Sequence, residues 1–306
     1  MKYGFSLVVR GADAGPETFK TMAERAEALG IDSLWLSAHV IVPRQVKSHY
    51  SMVKGRTYPE TWRECYWEPF TVLAYLSAIT RRITLGTSVV VLPMHNPFEL
   101  AKQVAEVDCL SGGRFVFGIG VGWFEEEFEI LGQSYGNRGK RTDEALALMK
   151  TLWADDPVRF EGKYYNVDEA WFSPKPVSRP HPPIWVAGAS TPALRRAARF
   201  GDYFHPVRAP LAYLEEAKVE LARHVADAGR APGSVGLAVK MPLTFQDGPP
   251  GSGQFPTQGR PADVVAAIRA YRDAGVDHLV FDLVPETLAT ALETMERFAE
   301  EVRPRV

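Results

Sequence analysis

Two periodicities alternate along the chain. Short apolar runs, of the kind a strand buried on both faces requires, fall at residues 3–9, 33–37, 83–92, 114–123, 184–187, 202–206, 235–245 and 278–284. Between them, apolar positions recur every three or four residues, as on a helix with one buried face. Phe19, Met22, Ala23, Ala26 and Leu29 do so in one stretch, and Phe98, Ala101, Val104, Ala105 and Val107 in another. Pro16, Pro192 and Pro261 stand where helices begin, and Gly30 and Gly275 where they stop. The pattern predicts helices at 69–79, 97–110, from about 124, 142–153, 211–227, 261–274 and 286–302, besides those opened by Pro16 and Pro192. Residues 159–172 read as a small hairpin ahead of the fifth strand, turning at Glu161 and Gly162.

Eight strands in βα order, with no shift of composition between halves, predict a parallel sheet with helical crossovers. Eight such units in 306 residues fit a closed α/β barrel, a (β/α)8 TIM barrel forming one domain over residues 1–306. A doubly wound open sheet is the alternative, and it needs fewer strands or a second domain. Two segments interrupt the pattern. Residues 40–68, after the second strand, hold Pro43, His49, Tyr50, Tyr58, Pro59, Trp62, Tyr66 and Trp67. The segment far exceeds the ~2–6 residues of an ordinary βα connection. It is expected to be a lid or binding loop, with an oligomer contact as the alternative. Residues 247–258 (DGPPGSGQFPTQ) are expected to form a mobile loop.

The centre of the chain is RFVFGIGVGW, residues 114–123. It reads as a buried strand with glycines at alternate positions, Gly118, Gly120 and Gly122, followed by Trp123 and an acidic first helical turn of Glu125, Glu126, Glu127 and Glu129. A bound cofactor is expected against this open edge; crowding of strand ends in a barrel is the alternative reason for the glycines. The stretch is not a dinucleotide fingerprint, because Trp123 stands where the third glycine would fall and a pyrophosphate would meet four glutamates. Gly188, Ala189 and Ser190 form a better anion site. They end a strand just before a helix that begins at Thr191 and Pro192, so free backbone N–H groups and the Ser190 hydroxyl favour a phosphate. An ordinary helix cap by Ser190 or Thr191 is the competing use. Residues 89–92 offer either a flat floor to an aromatic ring or core packing. His39, just past the second strand, is the candidate general acid or base, against a plain loop histidine bonded to backbone. Barrel topology places His39 and residues 88–93, 120–123 and 188–190 on one rim, at the C-terminal ends of the strands.

Composition removes other classes. The net charge is −2 and the sequence pI is about 6.4, with no basic patch for nucleic acid. Cys65 and Cys109 are too few for a disulfide framework or a zinc cluster, and the histidines show no paired metal spacing. No signal-peptide core and no apolar stretch near the ~18 residues of a membrane span is present. A soluble cytoplasmic protein acting on a small molecule is expected, without metal, nucleic acid or membrane partner.

Several stretches, in their order and spacing, resemble one family. They are SLWLSAHV, ITLGTSVVVLP, ELAKQVAEVDCLSGGRFVFGIGVGW with its EEEFEILG continuation, RGKRTDEALALMKTLW, PPIWVAGAS and AGVDHLVFDL. The chain resembles the luciferase-like monooxygenase superfamily, and within it the flavin- or deazaflavin (coenzyme F-420)-dependent oxidoreductases of actinobacterial type. The resemblance implies a (β/α)8 barrel and a homodimer. It implies that His39 faces the reactive edge of the cofactor and manages the proton on the substrate. Ser88 and Val89 match a non-prolyl cis peptide forming a bulge beneath the cofactor's central ring, and Gly188, Ala189 and Ser190 match a phosphate-binding turn. The implied chemistry is hydride transfer between coenzyme F-420 and a small organic substrate. FMN as cofactor would instead imply a reduced-flavin monooxygenase, and a barrel that binds cofactor without turnover is a third reading. Two residues depart from the sugar-phosphate dehydrogenases of the family: Ala38 and Trp123 each stand where those carry an acid. Their loss argues against a sugar-phosphate substrate and, with the aromatic loop, for a flatter, more apolar one.

Overall fold

Strand formation follows the apolar runs. The chain forms β1 (Lys2–Ser6), β2 (Ser33–Leu36), β3 (Thr84–Thr87), β4 (Val90–Val91) and β5 (Phe115–Gly120), then the antiparallel hairpin β6 (Val158–Glu161) and β7 (Asn166–Ala170). There follow β8 (Ile184–Ala187), β9 (Tyr203–His205), β10 (Gly236–Phe245), the short β11 (Gln258–Gly259) and β12 (His278–Leu283). β1, β2, β3 with β4, β5, β8, β9, β10 and β12 pair in parallel in that order, and β12 returns to β1, which closes an eight-position TIM barrel. Helices α1 (Pro16–Ala28), α2 (Pro69–Ile79), α3 (Pro97–Ser111), α4 (Glu125–Ile130), α5 (Arg138–Trp153), α6 (Thr191–Phe200), α7 (Leu211–Asp227), α8 (Pro261–Asp273) and α9 (Leu288–Arg297) connect the strands. This computed structural model describes residues 1–44, 46–48, 66–154, 156–283 and 287–306. Most of the loop expected at 40–68, including His49, Tyr50, Tyr58, Pro59 and Trp62, lies outside the described residues.

The period of two in each strand separates two environments. One set of side chains, among them Phe5, Leu34, Phe117, Val186, Phe204, Val239 and Phe281, joins the apolar layer beneath the helices. The alternate set fills the barrel. Its lower layer is aromatic: Trp35 stacks on Trp185 with ring centroids 4.2 Å apart, packed with Val116, Ala238 and Val280. Gly4 and Gly86 exist to admit Trp35, since a Cβ on either would lie 2.4 Å from its ring. Above this layer the inward positions turn polar, with Ser6, Ser88, His205, Lys240 and Asp282.

Some boundaries differ from the sequence expectation for local reasons. The third strand, expected at 83–92, is split by a cis peptide between Ser88 and Val89 into β3, which pairs with β2, and β4, which pairs with β5. α5 begins at Arg138 and not at the expected 142, so Arg138, Lys140 and Arg141 form its first turn. There Arg138 Nε bonds Gly122 O and Arg141 Nε bonds Asn137 Oδ1, so these side chains secure the turn. The segment 247–258 is folded back on itself, closed by reciprocal amide bonds between Gln246 and Gln254.

Candidate functional site

His39 continues the inward face of β2, two residues beyond Ser37. Its side chain is 11% exposed, and its ring lies edge-on to Tyr66 and Phe124 at centroid distances of 5.3 and 6.0 Å. Nδ1 of His39 is 2.7 Å from Oε2 of Glu127, whose other oxygen accepts the N–H groups of Val40 (2.7 Å) and Ile41 (3.3 Å). Glu127 is wholly buried. Its position follows from α4, where Phe124 and Phe128 both turn into the core and carry Glu127 inward with them. The preceding residue, Glu126, accepts the N–H and hydroxyl of Ser48 and the N–H of Lys47. Burial pushes the Glu126 carboxyl up, but these bonds outweigh it and hold the group down at about 2. Two glutamates of one helical turn thus anchor the chain that leaves β2.

A polar network crosses the barrel beneath this pair. Asp282 Oδ1 accepts from Ser6 Oγ (2.8 Å) and Lys240 Nζ (3.0 Å), and the same ammonium donates to Ser88 O (3.2 Å). The Ser88 hydroxyl meets His205 Nε2 at 2.8 Å, and His205 Nδ1 lies 2.9 Å from Ala238 O. A carbonyl only accepts, so Nδ1 carries a proton. Burial lowers the pKa of the ring to about 4, so at neutral pH the imidazole is uncharged and Nε2 accepts from the Ser88 hydroxyl. His278, bonded through Nε2 to Ser33 Oγ at 2.8 Å, is lowered to about 3, again chiefly by burial. Burial also moves Lys240 below the usual lysine range against the pull of Asp282. Arg10 completes the rim, donating to Ser37 Oγ and Tyr66 OH at 3.4 and 3.3 Å.

The remaining residues singled out in the sequence fall on the same end of the barrel, with distinct surroundings. A Cβ at Gly120 would lie 3.0 Å from Val89, and one at Gly122 would lie 2.6 Å from Val91 and 2.7 Å from Phe128. The space over both glycines is thus taken by the protein's own side chains. Trp123 is half-buried and stacks on Phe124 at 4.8 Å. Gly188 has φ 135°, and Ala189 and Ser190 are exposed. Ser190 occupies the N-cap position of α6, yet its hydroxyl makes no capping bond. A cavity of about 310 Å³ lined by His95, Phe98, Gln133, Arg141, Tyr164 and Tyr165 shares no lining residue with these positions.

Sequence reasoning missed Glu127, Lys240, His205 and Asp282. A signal existed for three of them. Glu127 shares a helix face with Phe124 and Phe128, and Lys240 and Asp282 interrupt otherwise apolar strands.

The closed parallel barrel thus carries a buried acid–histidine pair and a polar network at the C-terminal ends of its strands, the end at which barrels of this class carry their sites. The chain belongs to the luciferase-like monooxygenase family, whose model matches residues 1–249. It is 31% identical over 184 residues to an uncharacterised protein of Mycobacterium tuberculosis, covering 60% of this chain and 63% of that one. It is 27% identical to the F420-dependent glucose-6-phosphate dehydrogenase of Kineococcus radiotolerans, over 87% of each chain. It is also 31% identical over 140 residues to the FMNH2-dependent dimethylsulfone monooxygenase of Pseudomonas putida, covering 45% of this chain and 38% of that one. Among solved structures, the monooxygenase RslO1 of Streptomyces bottropensis superposes with a TM-score of 0.79 at 23% identity over 99% of both chains. The coenzyme F420 dependent tetrahydromethanopterin reductase of Methanopyrus kandleri gives 0.77 at 18% identity over 99% of this chain and 98% of that one. The family thus holds oxidoreductases of both cofactor types. No helix among the described residues is long and apolar enough to cross a membrane.

Proposed function

We propose that the protein is an oxidoreductase that uses coenzyme F-420 for hydride transfer to or from a small organic substrate, with His39 exchanging the proton on that substrate. The observation that carries this reading is the His39–Glu127 pair. The buried Glu127 carboxyl at Nδ1 orients the ring, which supports proton exchange at Nε2. When bound, the deazaflavin supplies or accepts a hydride at its central ring.

The donors present fit such a cofactor. The Ser88–Val89 segment is gripped from below by Lys240 at the carbonyl and by His205 at the hydroxyl, which makes it a rigid floor. Ser190, whose hydroxyl makes no capping bond at the N-terminus of α6, offers a hydrogen-bond donor to a phosphate. The relative matched over 87% of its length is named as F420-dependent, and the one named as FMNH2-dependent matches over a shorter span. Ala38 and the stacked Trp123 leave no carboxylate at the positions where the sugar-phosphate enzymes carry one, so the substrate is taken to be something other than a sugar phosphate. The test is parallel fluorescence titration with coenzyme F-420 and FMN. Saturable binding of F-420 alone is expected. Binding of FMN alone would replace the reading with an oxygen-consuming monooxygenase.

A further inference from the structure

Most charged groups at the barrel mouth have charged or hydroxyl partners among the described residues. Asp282 is taken by Lys240 and Ser6, and Glu127 by His39 and two backbone N–H groups. Arg10 donates to Ser37 and Tyr66. Arg208 has no such partner. It follows Val207, which bridges to Lys240 in parallel register just past the end of β9. Its φ is 55°, in the left-handed region that a side chain as long as arginine rarely adopts. Its N–H donates to Lys240 O at 2.7 Å, while the next carbonyl, Ala209 O, turns outward to the hydroxyl of Tyr271 on α8 at 2.8 Å. The guanidinium lies 5.8 Å from the ring centre of Phe255, and its charge acts on Lys240. Among the described residues it donates no hydrogen bond and meets no carboxylate, and its Nε is buried without an acceptor.

A buried Nε–H without an acceptor is costly, and the left-handed backbone adds to that cost. Such a group is complete only when an anion reaches it. A guanidinium matches the two oxygens of a carboxylate or phosphate with parallel bonds. We propose that Arg208 is a substrate-binding residue that takes an anionic oxygen group, carboxylate or phosphate, at the mouth of the barrel. This rests on the proposed function only in treating the mouth as the reaction site.

The test is calorimetric titration of the full chain, at constant ionic strength, with sodium benzoate, inorganic phosphate and neutral benzamide. At least one anion is expected to saturate a site, with binding weakened about tenfold or more in Arg208→Met and partly restored in Arg208→Lys. Benzamide is expected to bind about tenfold or more weaker than benzoate. Whichever of benzoate and phosphate binds tighter names the group. Fluorescence titration of Arg208→Met with FMN and coenzyme F-420 is expected to match wild type. Absence of a saturable anion site, or equal anion binding in wild type and Arg208→Met, overturns the proposal. So does joint loss of anion and cofactor binding, which would give Arg208 to the cofactor. An Arg208-dependent anion site in a protein that binds neither cofactor would uphold the site and overturn the proposed function.

Discussion

One carboxylate, Glu127, holds both the ring of His39 and the backbone that follows it. Oε2 takes Nδ1 at 2.7 Å and Oε1 takes the N–H of Val40 at 2.7 Å. The ring and the root of the long loop therefore share one anchor on α4. Movement of α4 against β2 would displace both together.

Glu127→Gln tests whether this anchor matters to the chemistry. An amide has one accepting oxygen and cannot serve all three donors. We expect kcat to fall about a hundredfold with a smaller change in KM, since a misoriented base loses much of its contribution. The 15N shifts of His39 in the variant should report a mixed tautomer. Unchanged kcat and an unchanged tautomer would confine Glu127 to anchoring the loop.

Lys240 and Asp282 give a stability test. Removing one member of a buried ion pair leaves the other charge without compensation, and the cost is about 3–5 kcal/mol. Lys240→Met should therefore lower the denaturation midpoint markedly, because Asp282 is also deep in the barrel. Lys240→Met with Asp282→Leu should recover most of the loss. A double variant no more stable than Lys240→Met would mean that packing, not charge, sets the cost.

The glycine edge gives a steric one. A Cβ at Gly118 would lie 1.8 Å from Thr87 O, a backbone atom that cannot yield without moving β3. At Gly136 nothing lies within 4 Å. Gly118→Ala is expected to destabilise the fold by about 3 kcal/mol or more, beyond ordinary overpacking, and Gly136→Ala by less than about 1 kcal/mol. Thermal melts of the two variants check this.

Much of the barrel was legible because its signals are local. The apolar runs at 33–37 and 184–187 and the proline-opened stretch at 69–79 became β2, β8 and α2 with boundaries shifted by at most one residue. His39 was legible because it directly follows a strand. Its partner was not. Four glutamates follow Trp123, and periodicity alone does not say which of them turns inward; only the burial of Phe124 and Phe128 decides it. The network under Ser88 joins β1, β3, β9, β10 and β12, residues up to 276 positions apart, and such a juxtaposition depends on register, which single runs do not encode. The glycines after Phe117 signalled close approach correctly, yet the approaching atoms belong to Thr87, Val89, Val91 and Phe128.

His205 and His278, buried inside the barrel, are expected to make the fold sensitive to acid. His205 and His278 titrate at about 4 and about 3 in the native protein, against 6.5 when unfolded. Their folded values are depressed, so the neutral rings contribute fully above pH 6.5, and that stability is lost as pH falls through the window toward 4 and then 3, where the unfolded chain binds the protons the native one refuses. The shift at His205 corresponds to about 3 kcal/mol across its window. His205→Gln retains a polar group for Ser88 and removes the titration. Chemical denaturation at pH 7 and pH 4.5 should show a large loss of stability in the wild type and a loss smaller by about 2–3 kcal/mol in the variant. Equal losses would place the acid sensitivity elsewhere, with His278→Gln as the next site to measure.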